Sequence, residues 1–222
     1  MSGICYYYGK TATSDEHVPP RAIFSKLKDS PDRKDYRKNL ITVRSCDVHN
    51  TEKSKEDEYL RYILTMNVAS NEIGKNQFSS SVMRAIDSRP KLIEQLLIEK
   101  QDISYYDTSN DSWHSPITIK PDESRLTVIF TSIAKALYMV EKSNPWVGEV
   151  SVLIEFTLSL DNLDKNLRQS EYVKHLDEHF TMVAYKRENP NVFTYQFIEV
   201  DSLTCIRLHF YDNSKVTAIF KS

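Results

Sequence analysis

The sequence predicts an α+β fold, with helices and strands grouped along the chain rather than alternating. Three observations carry that expectation. Residues 123–141 place Leu126, Ile129, Ile133, Leu137 and Val140 at spacings of three and four, the core-facing stripe of an amphipathic helix. The late runs NVFTYQFIEV, CIRLHFYD and KVTAIFK are β-branched and aromatic and alternate as sheet strands do. The first 70 or so residues, by contrast, are polar and rich in motifs.

Taken in order, LITVRS (Leu40 to Ser45) alternates apolar and polar residues and predicts a short strand. From Asp47 to Val68 the pattern turns helical, with Tyr59, Ile63 and Met66 on one stripe. NQFSSSVMRAID predicts a second helix and SRPKLIEQLLIEK a third, with Pro90 in its first turn, where the missing N–H costs nothing. DISYYDTSNDSWHSPITIKP predicts a hairpin around the polar DTSNDS. After the helix over 123–141, VGEVSVLIEFTLSL predicts a strand, residues 161–180 a polar helix, and TMVAYKR the first strand of the terminal sheet. The division expected is a small module over residues 1–70 and a larger α+β domain over 71–222.

Composition narrows the function classes. At 40% hydrophobic and 27% charged, with a net charge of −2, the 222-residue chain is that of an ordinary globular protein. No window approaches the ~18 apolar residues of a membrane span, and MSGICYYYGK lacks the basic and apolar runs of a secretory signal. A cytoplasmic location without membrane contact is expected. Three cysteines make no disulfide framework. Four widely separated glycines exclude a phosphate-cradling P-loop and a dinucleotide fingerprint. Locally, Arg21 to Arg44 holds eight basic residues (Arg21, Lys26, Lys28, Arg33, Lys34, Arg37, Lys38, Arg44) against Asp29, Asp32 and Asp35, which points to an anionic partner.

Candidate chemistry flanks that run. Cys46-Asp-Val-His49 has the two-residue spacing that lets two soft ligands hold one zinc ion. Cys5 would add a third ligand, but Tyr8 stands where its partner is expected, and a neutral phenol is a poor zinc ligand. Glu16-His17 offers a carboxylate for a hard divalent cation and an imidazole able to deprotonate water. Neighbouring side chains of an extended strand point opposite ways, so these two need a bent or bulged backbone to share a site. Asn50 could lend a neutral oxygen to the same cation.

In order and spacing, CYYYG, SDEHVPP, the basic loop, NLITVRSC and CDVHNTEK resemble the HNH, or ββα-metal, endonucleases over residues 4–61. The resemblance implies a β-hairpin-plus-helix nuclease module that cleaves DNA with Mg2+ or a similar ion. It makes His17 the general base, Glu16 and Asn50 the holders of the catalytic cation, and Asn39 the residue that ties the loop and steadies His17. It places Lys53 near phosphate and Cys5, Cys46 and His49 at a structural Zn2+ site. Glu16 stands where Asp is commoner. At Tyr8 the zinc is either held by three residues and a water or replaced by packing of Tyr6, Tyr7 or Tyr8. Arg21 and Arg44, at the ends of the basic loop, are expected to contact DNA backbone phosphates. The alternative is a catalytically inactive HNH-fold module that binds nucleic acid or a protein.

Other features carry blander readings. Lys55 and Arg61 predict a solvated helix face. His175-Leu-Asp-Glu-His179 matches the inverted zinc-peptidase pattern, but few residues follow it to supply a further ligand. Cys205 is expected in the core of a strand. No role for residues 71–222 follows from their sequence, and a protein partner or a second copy of the chain is expected to bind through them.

Overall fold

A two-stranded ladder organises the polar N-terminal region, a five-stranded antiparallel sheet the C-terminal region, and helices pack between them. The computed structural model describes residues 3–47, 54–89, 99–102, 105–107, 111–114, 117–159, 161–200 and 203–221. Strand β1 (Ser14–His17) pairs antiparallel with β2 (Thr42–Ser45) in the register Ser14 to Ser45 and His17 to Thr42. The loop between them contains two 3-10 turns, Arg21–Ile23 and Leu27–Asp29. Helix α1 (Ser54–Met66) follows β2 and buries Tyr59, Leu60, Ile63 and Leu64; of the stripe its spacing predicts, Tyr59 and Ile63 are buried and Met66 is half-buried.

The second helix starts earlier than its sequence suggests. Helix α2 (Glu72–Gln77) is capped by Asn71, whose side chain accepts from the N–H groups of Ile73 (3.1 Å) and Gly74 (3.2 Å). It runs through one π-helical turn, Phe78–Val82, into α3 (Met83–Ser88). The widened turn is where Ser80 Oγ donates to the Asn76 carbonyl at 2.7 Å, competing with the backbone ladder. The third predicted helix falls mainly outside the described residues. Its last two positions, Glu99 and Lys100, belong instead to β3 (Glu99–Asp102), because the hairpin ladder extends back over them to β6 (Ile117–Lys120). Within that hairpin, β4 (Tyr105–Asp107) pairs with β5 (Ser112–His114).

Helix α4 (Glu123–Lys142) is capped by Asp122, which accepts from the Arg125 N–H at 3.0 Å, and α5 (Leu163–Phe180) is capped by Asn162. The large sheet has the order β7-β11-β10-β9-β8, formed by β7 (Glu149–Ile154), β8 (Lys186–Asn189), β9 (Phe193–Val200), β10 (Leu203–Phe210) and β11 (Ser214–Lys221). The strand expected over TMVAYKR begins only at Lys186. Its first residues close α5 instead, with Thr181 Oγ1 bonded to the Asp177 carbonyl and the Val183 N–H to that of Phe180. Strand β7 is likewise shorter than expected, because the chain turns at Glu155.

One hydrophobic core joins both ends of the chain. Tyr6, Val18, Phe24, Tyr59 and Leu64 share it with Leu126, Phe130, Ile133, Leu208, Phe210 and Val216. The boundary expected near residue 70 therefore marks no break in packing. Polar ties cross it too: Tyr211 Oη donates to the Ile23 carbonyl and lies 2.8 Å from Gln77 Oε1, and Asn67 Nδ2 donates to Ser214 Oγ (2.9 Å). Cys205 is buried with Leu176 and Phe180 between α5 and the sheet, and burial pushes its thiol pKa up to about 11. Among the described residues, no helix is long and apolar enough to cross a membrane.

Candidate functional site

The alternation of β1 turns Asp15 outward, where it pairs with Arg44 across the ladder (3.1 Å), and Glu16 inward. Glu16 is only 8% exposed. Its Oε1 accepts from Tyr6 Oη at 3.1 Å, and that phenol lies 2.8 Å from Ser132 Oγ on α4. Burial first, and then the Glu16 charge, holds the Tyr6 pKa well above its ordinary value, so the phenol stays a donor. A carboxylate in the interior thereby accepts from a phenol hydroxyl.

His17 ends the strand on the opposite side. The ladder runs through Glu16 and His17 without a shift of register, so the bulge that a shared site needs is absent within the strand, and the two side chains flank the strand end. A cis Val18–Pro19 peptide follows, and the Val18 N–H donates to the Ile41 carbonyl at 2.9 Å, holding the base of the loop closed. The His17 ring is half-buried, and its Nδ1 is buried with no hydrogen-bond partner among the described residues. Burial first, and then the Arg21 guanidinium, lowers its pKa below the ordinary histidine value. The imidazole is therefore neutral at pH 7 and can offer the Nδ1 lone pair.

The segment before β1 folds back on itself. Cys5 N–H donates to the Lys10 carbonyl (2.6 Å), the Gly9 N–H to that of Cys5 (2.9 Å), and Gly9 takes φ 64, which glycine adopts without strain. Tyr6 N–H and Thr13 N–H then bond the carbonyls of Arg44 and Ser45, which brings Cys5 beside Cys46 at the end of β2. Both thiols are buried. Burial pushes the Cys5 pKa up, but the N–H groups of Tyr8, Tyr7 and Cys46, with the Cys46 side chain, outweigh it and leave the thiol below its ordinary value. A sulfur ringed by amide donors suits a thiolate. Tyr8 itself is 45% exposed, edge-on to Tyr7 with centroids 5.0 Å apart.

The remaining predicted residues are distributed as follows. His49, Asn50 and Lys53 lie outside the described residues. Among the described ones, no group of three His, Cys, Asp or Glu residues gathers as a metal site. Asn39 is exposed at φ 53, and its side chain makes no hydrogen bond to the described residues. Its place in the loop is a left-handed turn, which asparagine tolerates well. It lines an open cavity of about 440 Å3 with Lys34, Asp35, Tyr36, Lys38 and Asn191. Arg21 is exposed at the head of the first 3-10 turn. His175 and His179 stand on α5 with ring centroids 5.1 Å apart.

Three contributors escape a reading of the sequence. Tyr6 is one of three consecutive tyrosines, and nothing in the run distinguishes it. Ser132 had a usable signal, a hydroxyl on the buried face of an otherwise apolar helix stripe. Arg61 is a correction: its side chain is only 16% exposed, packed over the Tyr62 ring rather than solvated. No protein-family model, curated protein or solved structure matches this chain.

Proposed function

We propose that this protein is a divalent-metal-dependent endonuclease that hydrolyses phosphodiester bonds in DNA. The observation that supports the reading best is His17: a buried, unpartnered Nδ1 at the end of a short strand, directly after a buried carboxylate and at the edge of the basic loop. His17 takes the proton of an attacking water as its oxygen bonds phosphorus, and the P–O bond to the leaving sugar oxygen breaks. Glu16 fits a hard cation, being an oxygen donor oriented by Tyr6, and Asn50 would complete the pair. Such a cation, when bound, supplies charge stabilisation at the phosphate and leaving oxygen. Cys5 and Cys46 fit a soft structural ion such as Zn2+, since the amide donors around Cys5 favour its thiolate. The basic loop contacts backbone phosphates, so affinity falls with salt and base readout is slight.

The test is nicking of supercoiled plasmid by the full chain with Mg2+, Mn2+ or EDTA. Cleavage should require the metal and fall about 100-fold or more in His17→Ala, the usual loss for a general base. One feature favours a second reading, a binding module without cleavage: Tyr8, exposed where the resemblance expects a ligand. Plasmid retarded on a gel but never nicked under any metal would support that module and reject the nuclease.

A further inference from the structure

The run His175-Leu-Asp-Glu-His179 on α5 has no part in the chemistry described so far. The helix packs through Leu176 and Phe180 on Cys205 and the large sheet, and that seating leaves His175 and His179 on the exposed face. Positions four apart are neighbours on a helix surface, so the two imidazoles meet edge-on with centroids 5.1 Å apart. Neither ring makes a hydrogen bond to the described residues. Glu171 stands one turn before His175 on the same exposed stripe, and it too is unpaired among the described residues.

The ring spacing is the one that a shared ion needs. With a Zn–N distance of about 2.0–2.1 Å, the centre of each ring lies about 3.2 Å from the ion, and a tetrahedral angle then sets the two centres about 5.2 Å apart. The observed 5.1 Å matches that value. The χ2 axis of a histidine runs through its ring, and that torsion is broad, so exposed rings can turn their nitrogens towards one point while their centres stay in place. Glu178 Oε2 lies 3.7 Å from His175 Nδ1, on the side that leaves Nε2 free, and a carboxylate near the far nitrogen raises the basicity of a ligating imidazole. Within a turn of the pair, the carboxylates Glu171 and Glu178 outnumber the one cation, Lys174, while Asp177 is held by Arg207 at 2.5 Å. The local charge favours a cation.

We propose that His175 and His179 form a surface site for one divalent transition-metal ion of the kind imidazole prefers, such as Zn2+, Ni2+ or Cu2+. The pair acts as a chelate: once one ring holds the ion, the second binds it intramolecularly and at high effective concentration. Two protein ligands leave the other coordination positions to water or to a donor from outside the chain, in keeping with the absence of a three-residue metal group among the described residues. The spacing exists only while residues 175–179 are helical, so the ion binds the folded form of α5. This site does not rest on the nuclease reading, whose cation is a hard one held by oxygen.

Imidazole 15N NMR of the full chain, labelled at histidine and freed of metal by EDTA and dialysis, tests the site during titration with Zn2+. The resonances of His175 and His179 should move together and saturate at one ion per pair. His49 reports any ion at the Cys5–Cys46 end of the chain separately, so binding there is not mistaken for this site. In His179→Gln the His175 response should need about tenfold more Zn2+ or more, because a lone ring loses the chelate; His175→Gln should do the same to His179. Both positions are exposed, so neither substitution should disturb the fold. Mg2+ at the same concentrations should leave both rings unmoved, since a hard ion prefers oxygen. Rings that do not respond to Zn2+, that titrate at different concentrations, or that keep their full response when the partner is replaced overturn the proposal. An equal response to Mg2+ overturns it as well.

Discussion

His209 is buried on β10 with Nε2 3.0 Å from Gln196 Oε1 and the positive charges of Lys215 and Arg207 nearby. Burial first, and then those two cations, lowers its pKa from 6.5 to about 4. A folded-state value below the unfolded one means that folding favours the neutral ring. The stabilisation is complete above about pH 6.5 and is lost as the pH falls towards 4, a linkage worth about 3 kcal/mol. Urea unfolding should show stability declining across that window, and His209→Gln should flatten the decline. An equal slope in the variant would assign the acid sensitivity to other groups. The same scale shows what a sequence reveals of a site. Glu16 and His17 are legible because their chemistry lies in adjacent positions. Tyr6 and Ser132 are not, because their roles arise from a meeting of residues more than a hundred positions apart.

Arg207 ties three elements together, and the strength of each tie differs. The side chain is 2% exposed and lies 2.5 Å from both Glu155 Oε2, just past β7, and Asp177 Oδ1 on α5. Glu155 is also buried and accepts from Thr217 on β11 at 2.6 Å, whereas half of Asp177 is open to water. Removing the buried partner strands a buried cation, so Glu155→Ala should cost about 3–5 kcal/mol in urea unfolding. Asp177→Ala should cost about 1 kcal/mol or less, since its exposed side is already screened. Equal costs would show that the two carboxylates share the charge evenly. Elements with a strong period, α4 and the three last strands, were readable in advance. Those set by tertiary bonds were not. The start of α2 depends on the Asn71 cap, the failure of TMVAY as a strand on the close of α5, and the extent of β3 on its partner β6.

At the scale of the molecule, packing joins the two regions that the composition separates. Residues 1–70 send Tyr6, Phe24, Tyr59 and Leu64 into a core whose other half is α4 and the large sheet. The Asp122 N–H that opens α4 donates to Tyr59 Oη at 2.7 Å, so the link is polar as well as apolar. A fragment of residues 1–70 should therefore show no cooperative thermal transition. The full chain should melt in one step, with far-ultraviolet circular dichroism and tyrosine fluorescence coinciding. A folded, cooperatively melting fragment would restore the two-module description.

The sheet order adds a sequence in time. Strand β11, synthesised long after β7, sits between it and β10, and Tyr211 and Ser214 from the β10–β11 hairpin hold the Ile23 carbonyl and Asn67. On a ribosome, the helices and the β1–β2 ladder emerge long before their supports do. The region around His17 is thus braced only after residues 203–221 have cleared the exit tunnel, as non-local pairing must wait for its partner. A protein built this way leaves the surroundings of His17 unsupported while it is still tethered to the message being read.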